Sequence, residues 1–240
     1  MLNKETKLKD IVNESPVTMD LFNDLNIDYC CNGADSLEDV AEKKNIDINS
    51  LMSLIEKKKS ETTDVKDEKT SDIEDFKKLS IRDMIKHLKF THHQNEREML
   101  IELDGLVNKI LLAHYKTHSE ELIELHKIFG LLKNELEVHF AKEEKLIFPL
   151  MNENENPSQE VIDYINVLEG EHEQAGALIK EMQALTNNFS TPEDACVTYE
   201  RTYYLLSELV EDIFVHIFKE NSILFPKYES LKNYRRKYEN

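Results

Sequence analysis

Apolar residues recur at steps of three and four along most of the chain, which is the spacing of amphipathic helices. Residues 1–58 predict a small helical domain. A first apolar stripe runs to about Leu25, and Pro16 either splits this helix or starts a new one. Ser36 begins a further helix with a capping box, and a last helix carries Ile48. A domain this short has a thin core, so we expect it to rest on a partner surface.

The pattern stops after this domain. Between Lys57 and Asp72 the only apolar residue is Val65. Such a segment cannot bury enough apolar surface to offset the entropy lost on ordering. We therefore predict a flexible linker over residues 59–78.

Helical periodicity returns at Leu79 and continues to the C-terminus. Breaks at residues 113–119, 149–158 and 187–192 divide it into four long segments. Amphipathic helices joined by short connections form an up-down-up-down bundle. The sequence thus predicts an all-α protein whose large domain, residues 79–240, is a four-helix bundle.

Polar residues interrupt the apolar stripes of three bundle helices. Two stripes carry a histidine and, four residues later, a glutamate: His139 with Glu143, and His216 with Glu220. This spacing places both side chains on one face of a helix. A third stripe carries His172. A charged glutamate in a core is costly unless it is paired or binds a metal, and imidazole with carboxylate is a ligand set for Fe, Mn or Zn.

An internal repeat strengthens the metal hypothesis. The order His, Lys, Glu, Phe, Pro recurs with identical spacing from His139 to Pro149 and from His216 to Pro226. Two matched halves predict a pseudo-symmetric site for two metal ions.

The second half also has His172 upstream of His216, so the first half should have a histidine near residue 93. Both His92 and His93 are candidates. The apolar stripe upstream puts His92 in phase, whereas the stripe downstream puts His93 in phase. Periodicity leaves this choice open.

The other histidines and the last cysteine have simpler interpretations. We expect His87, His118 and His126 on the surface. His114, between two helices, either orients a ligand or has no role. Cys196, near the start of the fourth bundle helix, is expected to be packed.

Composition limits the partners. The chain has 48 Asp and Glu against 30 Lys and Arg, a net charge of −18. A surface this acidic disfavours binding to nucleic acid and to anionic membranes. The absence of a secretory signal, of a membrane-spanning apolar run and of a disulfide framework predicts a cytoplasmic protein.

Two cysteines are adjacent, Cys30 and Cys31, and adjacent cysteines do not readily bridge each other. They follow Tyr29 in a turn that ends at Gly33, so we expect exposed thiols. Such thiols are candidates for redox chemistry or metal transfer.

At these motifs the sequence resembles the Repair of Iron Centres family, di-iron proteins that repair iron–sulfur clusters. The resemblance covers nearly the whole chain. It rests on the cysteine segment 27–33, the two His-x-x-x-Glu-x-x-x-x-Phe-Pro repeats, and segments 171–176 and 192–196.

The resemblance implies a haemerythrin-like bundle that holds two Fe ions joined by an oxo or hydroxo bridge. It prefers His93 to His92, because His93 precedes Arg97 and Glu98 at the family's spacing. Glu96 departs from relatives that carry a further histidine there, and Asn32 departs from a frequent glycine. The six implied ligands, with both glutamates bridging, are His93, His139, Glu143, His172, His216 and Glu220.

The implied function is repair of clusters damaged by nitrosative or oxidative stress, by an iron-donating protein rather than a classical enzyme. Its partners would be damaged or apo iron–sulfur proteins, and a homodimer is allowed. Open positions on the metals support an alternative, a di-iron redox enzyme or sensor that acts on nitric oxide, peroxide or dioxygen. The doubled ligand pattern disfavours a metal-free interaction module.

Overall fold

The structure, a computed structural model, describes residues 2–61, 68–153 and 157–236. These residues are helical with connecting turns, and the only β pairing among them is one bridge between Lys7 and Ser36. The predicted all-α class is confirmed.

The amino-terminal part consists of four short helices around an apolar core that includes Leu8, Ile11 and Phe22. Pro16 lies between the first two helices and divides the stripe, as its missing N–H and its ring require. The helices are α1 (Leu8–Glu14), α2 (Thr18–Asp24), α3 (Leu37–Lys44) and α4 (Ile48–Glu61).

Local side-chain chemistry sets both ends of α3. The Ser36 hydroxyl accepts a hydrogen bond from the Asp39 backbone N–H, and the Asp39 carboxylate accepts one from the Ser36 N–H, so the predicted capping box is present. At the other end Asn45 adopts a left-handed conformation (φ 54°) that stops the helix.

The cysteine turn between α2 and α3 folds back on α1. The Lys9 backbone N–H donates to the Gly33 carbonyl at 2.9 Å. A Cβ atom at Gly33 would lie 2.7 Å from the Tyr29 carbonyl oxygen, so this approach requires glycine.

The structure differs from the linker predicted over residues 59–78. Residues up to Glu61 continue α4, and α5 spans Glu68–Lys78. Ile73 and Phe76 of α5 are buried. With the charged run in front of it, this short apolar pair was too weak a pattern to identify a helix. Residues 62–67 lie outside the described residues, and the division into domains remains a prediction.

The described residues from Ile81 onward form the predicted four-helix bundle. Helix α7 packs on α8 and on α11, and α8 packs on α10. The helices are α6 (Ile81–Leu88), α7 (Gln94–Ala113), α8 (Tyr115–Lys142), α9 (Phe148–Glu153), α10 (Gln159–Leu185), α11 (Val197–Lys219) and α12 (Phe225–Arg236).

Three of the four bundle helices contain a π-helical turn: Lys89–His93 joins α6 to α7, Glu143–Ile147 joins α8 to α9, and Glu220–Leu224 joins α11 to α12. We attribute the last two to the repeated proline. Pro149 and Pro226 have no N–H to donate to the carbonyl four residues earlier, which lies inside each π turn. The first π turn has no proline; there the Thr91 hydroxyl donates to the His87 carbonyl at 2.7 Å.

The amino-terminal helices rest on the bundle through the cysteine turn. Tyr29 is fully buried, with its ring 6.3 Å from that of Phe214 and 6.0 Å from that of Phe218. A Cβ atom on Gly176 of α10 would lie 3.1 Å from the Cys31 sulfur, so a small residue permits close contact. The expected partner surface is therefore the bundle itself.

None of the helices in the described residues is long and apolar enough to cross a lipid bilayer.

Candidate metal centre

Six polar side chains from all four bundle helices meet in the core, and each of these residues is at most 5% exposed. The π turns lie at this level: His93 ends the first, Glu143 begins the second and Glu220 begins the third. π turns are frequent at functional sites because they shift the faces that a helix presents. The six are His93, His139, Glu143, His172, His216 and Glu220.

The two glutamates lie between two pairs of histidines. Glu143 is 3.2 Å from His93 Nε2 and 3.4 Å from His139 Nε2. Glu220 is 3.2 Å from His172 Nε2 and 3.3 Å from His216 Nε2. The side chains thus form two groups of four, His93 with His216 and His139 with His172, and both groups contain both glutamates.

The outer nitrogen of each of these four histidines faces a hydrogen-bond acceptor, so in the neutral imidazole the proton lies on Nδ1 and the Nε2 lone pair is directed at the glutamates. The Nδ1 atoms of His93, His139, His172 and His216 bond to Glu144 (2.9 Å), Glu171 (2.9 Å), Asn221 (2.8 Å) and Glu96 (2.9 Å), respectively.

When these imidazoles are neutral, the centre therefore brings hydrogen-bond acceptors face to face. His139 Nε2 and His172 Nε2 are only 3.0 Å apart. Within the described residues, no donor hydrogen-bonds to either oxygen of Glu143 or Glu220, or to Nε2 of His93 or His216. At about 1–3 kcal/mol for each unsatisfied buried group, these six atoms would cost as much as a domain's typical stability of about 5–15 kcal/mol. Cations at the centre would satisfy them, so the donor set fits metal ions.

The electrostatics of the centre agree with this fit. Burial raises the pKa of Glu220, but His216 and His172 outweigh it and hold this pKa well below its usual range. Burial lowers the pKa of His139, yet the facing Glu143 carboxylate raises it to about 10. Glu143 thus favours a proton on His139, and a metal ion at the centre would replace that proton.

The cysteine turn lies against this centre. The Cys31 thiol donates to the His172 carbonyl at 3.2 Å, and the Asn221 amide donates to the Cys30 carbonyl at 3.4 Å. The two sulfur atoms are 3.7 Å apart and unbonded. Cys30 is 2% exposed, so the expected exposure is wrong for this thiol. Burial raises its pKa well above the ordinary value, which makes it a poor free nucleophile.

Comparison with known proteins agrees with this architecture. Residues 83–228 match the hemerythrin HHE cation binding domain, and residues 4–59 match the ScdA_N domain, a domain of unknown function (DUF542). The iron-sulfur cluster repair protein YtfE of Enterobacter sp. (strain 638) is 30% identical over 227 residues, which cover 95% of this chain and 98% of the relative. The proteins of the same name from Shigella boydii serotype 4 (strain Sb227) and Pectobacterium atrosepticum are 30% and 29% identical over the same lengths.

The chain belongs to the iron–sulfur cluster repair family. The resemblance found in the motifs is thereby confirmed, and so is the haemerythrin-like nature of the bundle.

In this repair-family chain, His92 is buried beside His93 but belongs to a different network. Its Nδ1 lies 3.1 Å from Asp212, its Nε2 accepts from Lys219 at 2.9 Å, and its ring stacks on His216 at 5.2 Å between centroids. Lys219 is itself 1% exposed. This network supports the outer face of His216.

Cys196 and two of the histidines differ from the simpler interpretations. Cys196 is exposed rather than packed, and its sulfur lies 3.2 Å from His114 Nε2. His87 is partly buried and accepts from Lys219 at 3.0 Å. His118 is also partly buried and contacts Asp194, whereas His126 is exposed, as expected.

Sequence reasoning missed the acceptors that orient the histidines. Three of them are chain neighbours of a metal-centre residue: Glu144 follows Glu143, Glu171 precedes His172, and Asn221 follows Glu220. The signal available in the sequence was the polar residue next to Glu143, His172 and Glu220. Glu96, noted only as a departure from the family pattern, is fully buried and supports His216.

Proposed function

We propose that this chain is a di-iron protein that repairs iron–sulfur clusters damaged by nitrosative or oxidative stress, by donating iron to them. The observation that carries the proposal is the pair of four-residue groups that share Glu143 and Glu220. The relatives' name supplies the class of client, damaged or apo iron–sulfur proteins.

In this proposal His93 and His216 bind one ion, His139 and His172 bind the other, and both glutamates bridge them. The choice of iron follows the haemerythrin domain, because the donor types alone also accept manganese. The proposal also includes an oxo or hydroxo bridge between the two ions. Bound iron would supply redox capacity and exchangeable metal.

The chain's own residues would hold the ions without enclosing them. Two histidines and two shared carboxylates give each ion at most four protein donors, fewer than a six-coordinate iron accepts. Open positions favour release to a client. The charged acceptors Glu144 and Glu171 remain partly exposed, so solvent reaches this side of the histidines.

Cys30 and Cys31 are the candidates for redox chemistry or transfer, because the Cys31 sulfur touches the backbone of His172. A cytoplasmic location belongs to the same proposal, and a homodimer stays a prediction.

The test follows labelled iron from the loaded protein to an apo iron–sulfur protein. We expect stoichiometric transfer and recovery of the acceptor's activity. The Cys30→Ser/Cys31→Ser double variant should keep its iron but transfer it more slowly. If the loaded protein keeps all its iron while the acceptor stays inactive, the proposal of iron donation is wrong. Equal transfer rates for the wild type and the double variant would exclude the thiols from transfer.

A small cavity supports the alternative of a redox enzyme or sensor. It has a volume of about 10 Å³ and is lined by His139, His172 and His216 among others. This is about the space that one water-sized molecule needs, so a small oxidant could approach the centre. Repeated consumption of nitric oxide or peroxide without loss of iron would favour this function over donation.

A further inference from the structure

A second cluster of metal-binding side chains lies at the opposite end of the bundle. His114 connects α7 to α8, and His118 lies in the first turn of α8. Asp194 and Cys196 lie in the segment before α11. The 20 residues of α7 separate His93 from His114, roughly 30 Å at 1.5 Å per residue. This cluster is therefore distinct from the iron centre.

The side chains already converge. Ligand atoms of His114, His118 and Asp194 lie within 4.8 Å of one another. His118 Nε2 is 2.8 Å from Asp194 Oδ1, and His114 Nε2 is 3.2 Å from the Cys196 sulfur. His118 has non-helical dihedral angles (φ −129°, ψ 25°), so α8 kinks at this residue.

The pattern in sequence is equally regular. One segment supplies two histidines four residues apart, and the other supplies an aspartate and a cysteine two residues apart. Two ligand pairs from separate segments, one of them His-x-x-x-His, are typical of sites that tie distant parts of a chain together.

The donor chemistry is that of zinc rather than of the iron centre. Imidazole, carboxylate and thiolate are the zinc ligands in proteins, and four of them complete a tetrahedron. The Asp194 side chain is 56% exposed, so an ion can enter from solvent.

We propose that His114, His118, Asp194 and Cys196 form a second metal site that binds one zinc ion and ties the α7–α8 junction to the start of α11. The site is independent of the iron centre and of the repair function. On binding, zinc replaces the thiol proton of Cys196, which passes to solvent.

The experiment uses the full chain with its iron centre loaded, so that zinc meets only the remaining sites. Iodoacetamide labels the cysteines, and mass spectrometry of peptides gives the rate at each one. One equivalent of zinc should slow the labelling of Cys196 roughly tenfold or more, because a coordinated thiolate is not free to react. The iron content should not change.

Variants identify the ligands. His118→Gln and Asp194→Asn should abolish the protection of Cys196. The matched control is His126→Gln, two turns further along α8, where the exposed imidazole hydrogen-bonds to Asn108. This variant should keep the protection. Circular dichroism checks that each variant is folded, since all three positions are at least partly exposed.

Thermal unfolding gives a second measurement. Zinc should raise the Tm of the wild type and of His126→Gln, but not that of the two ligand variants. The proposal is overturned if zinc leaves the labelling of Cys196 unchanged, or if it protects Cys196 equally in His118→Gln and Asp194→Asn. Either result leaves the iron-transfer proposal untouched.

Discussion

Individual residues of the centre divide into those that face the metal positions and those that hold them. Glu143 and Glu220 have both oxygens directed inward without a hydrogen-bond donor among the described residues. Glu96, Glu144 and Glu171 each use a carboxylate oxygen to fix a histidine from outside. The same residue type thus has two roles, and the imidazole nitrogen that each carboxylate faces, Nε2 or Nδ1, decides between them.

Replacing a glutamate that faces the metal positions should lower the iron content of the centre. Glu220→Gln keeps the size of the side chain but removes the charge shared by both ions. We expect the iron content to fall from about two to one or fewer per chain, measured by elemental analysis after anaerobic loading. Glu208→Gln, an exposed position on the same helix, is the control and should retain full iron. Full iron in Glu220→Gln would contradict the bridging role.

Replacing an outer acceptor should weaken metal binding without abolishing it. In Glu171→Ala the Nδ1 atom of His139 loses its partner at 2.9 Å. Such losses typically reduce metal affinity about 10- to 100-fold, so a chelator should remove iron correspondingly more easily. Glu173→Ala, exposed on the same helix, should behave as wild type. Equal iron retention by both variants would show that Glu171 does not support the ligand.

At the scale of elements, the π turns explain why periodicity could not choose between His92 and His93. The apolar register of α6 continues to His92, and the register of α7 begins at His93. The π turn Lys89–His93 shifts the register between the two. Both histidines are consequently buried, with 5% and 0% exposure. A periodic pattern assumes one continuous helix, and this helix changes its phase within the motif.

The role of proline in maintaining the π turns can be tested by substitution. In Pro226→Ala a backbone N–H becomes available, so the turn Glu220–Leu224 can return to α-helical bonding. One residue of register corresponds to about 100° of rotation, which would turn Phe225 out of the core. We expect a lower Tm, weaker iron binding and altered hydrogen exchange over residues 220–226. Pro192→Ala, in a loop, is the control; identical behaviour of the two variants would show that proline does not maintain the turn.

At the scale of the whole molecule, one buried carboxylate joins the cysteine turn to the bundle. Asp28 accepts from the Cys31 backbone N–H at 2.9 Å, from the Asn32 amide at 2.8 Å and from Lys180 of α10 at 2.6 Å. Burial raises its pKa, but the Lys180 ion pair and these hydrogen bonds outweigh burial and lower the pKa below 3.8. Asp28 therefore stabilises the folded state most when it is charged.

This ion pair predicts an acid-dependent stability. The folded pKa of Asp28 is lower than the unfolded one, so its contribution is fully present above the ordinary value of 3.8 and is lost as the pH falls through the folded value. Asp28→Asn should thus unfold in less urea than the wild type at neutral pH, and this difference should shrink in acid. Asp24→Asn, at the end of α2, serves as the control. A difference that stays constant with pH would show that the charge of Asp28 is not its cause.

The sequence by itself determined the helical class, the four bundle segments and the two His-x-x-x-Glu pairs, because helical spacing ties each of these features to near neighbours in the chain. It also indicated that His172 faces inward, since this residue continues an apolar stripe. The tertiary structure decided what depends on contacts between distant segments. It separated His93 from His92, buried Cys30, brought Cys31 against His172, and placed Ile73 and Phe76 in a helix. It also brought His114 and His118 to Asp194 and Cys196. The local periodicity of the sequence carries no information about these contacts, because the packing of separate helices determines them.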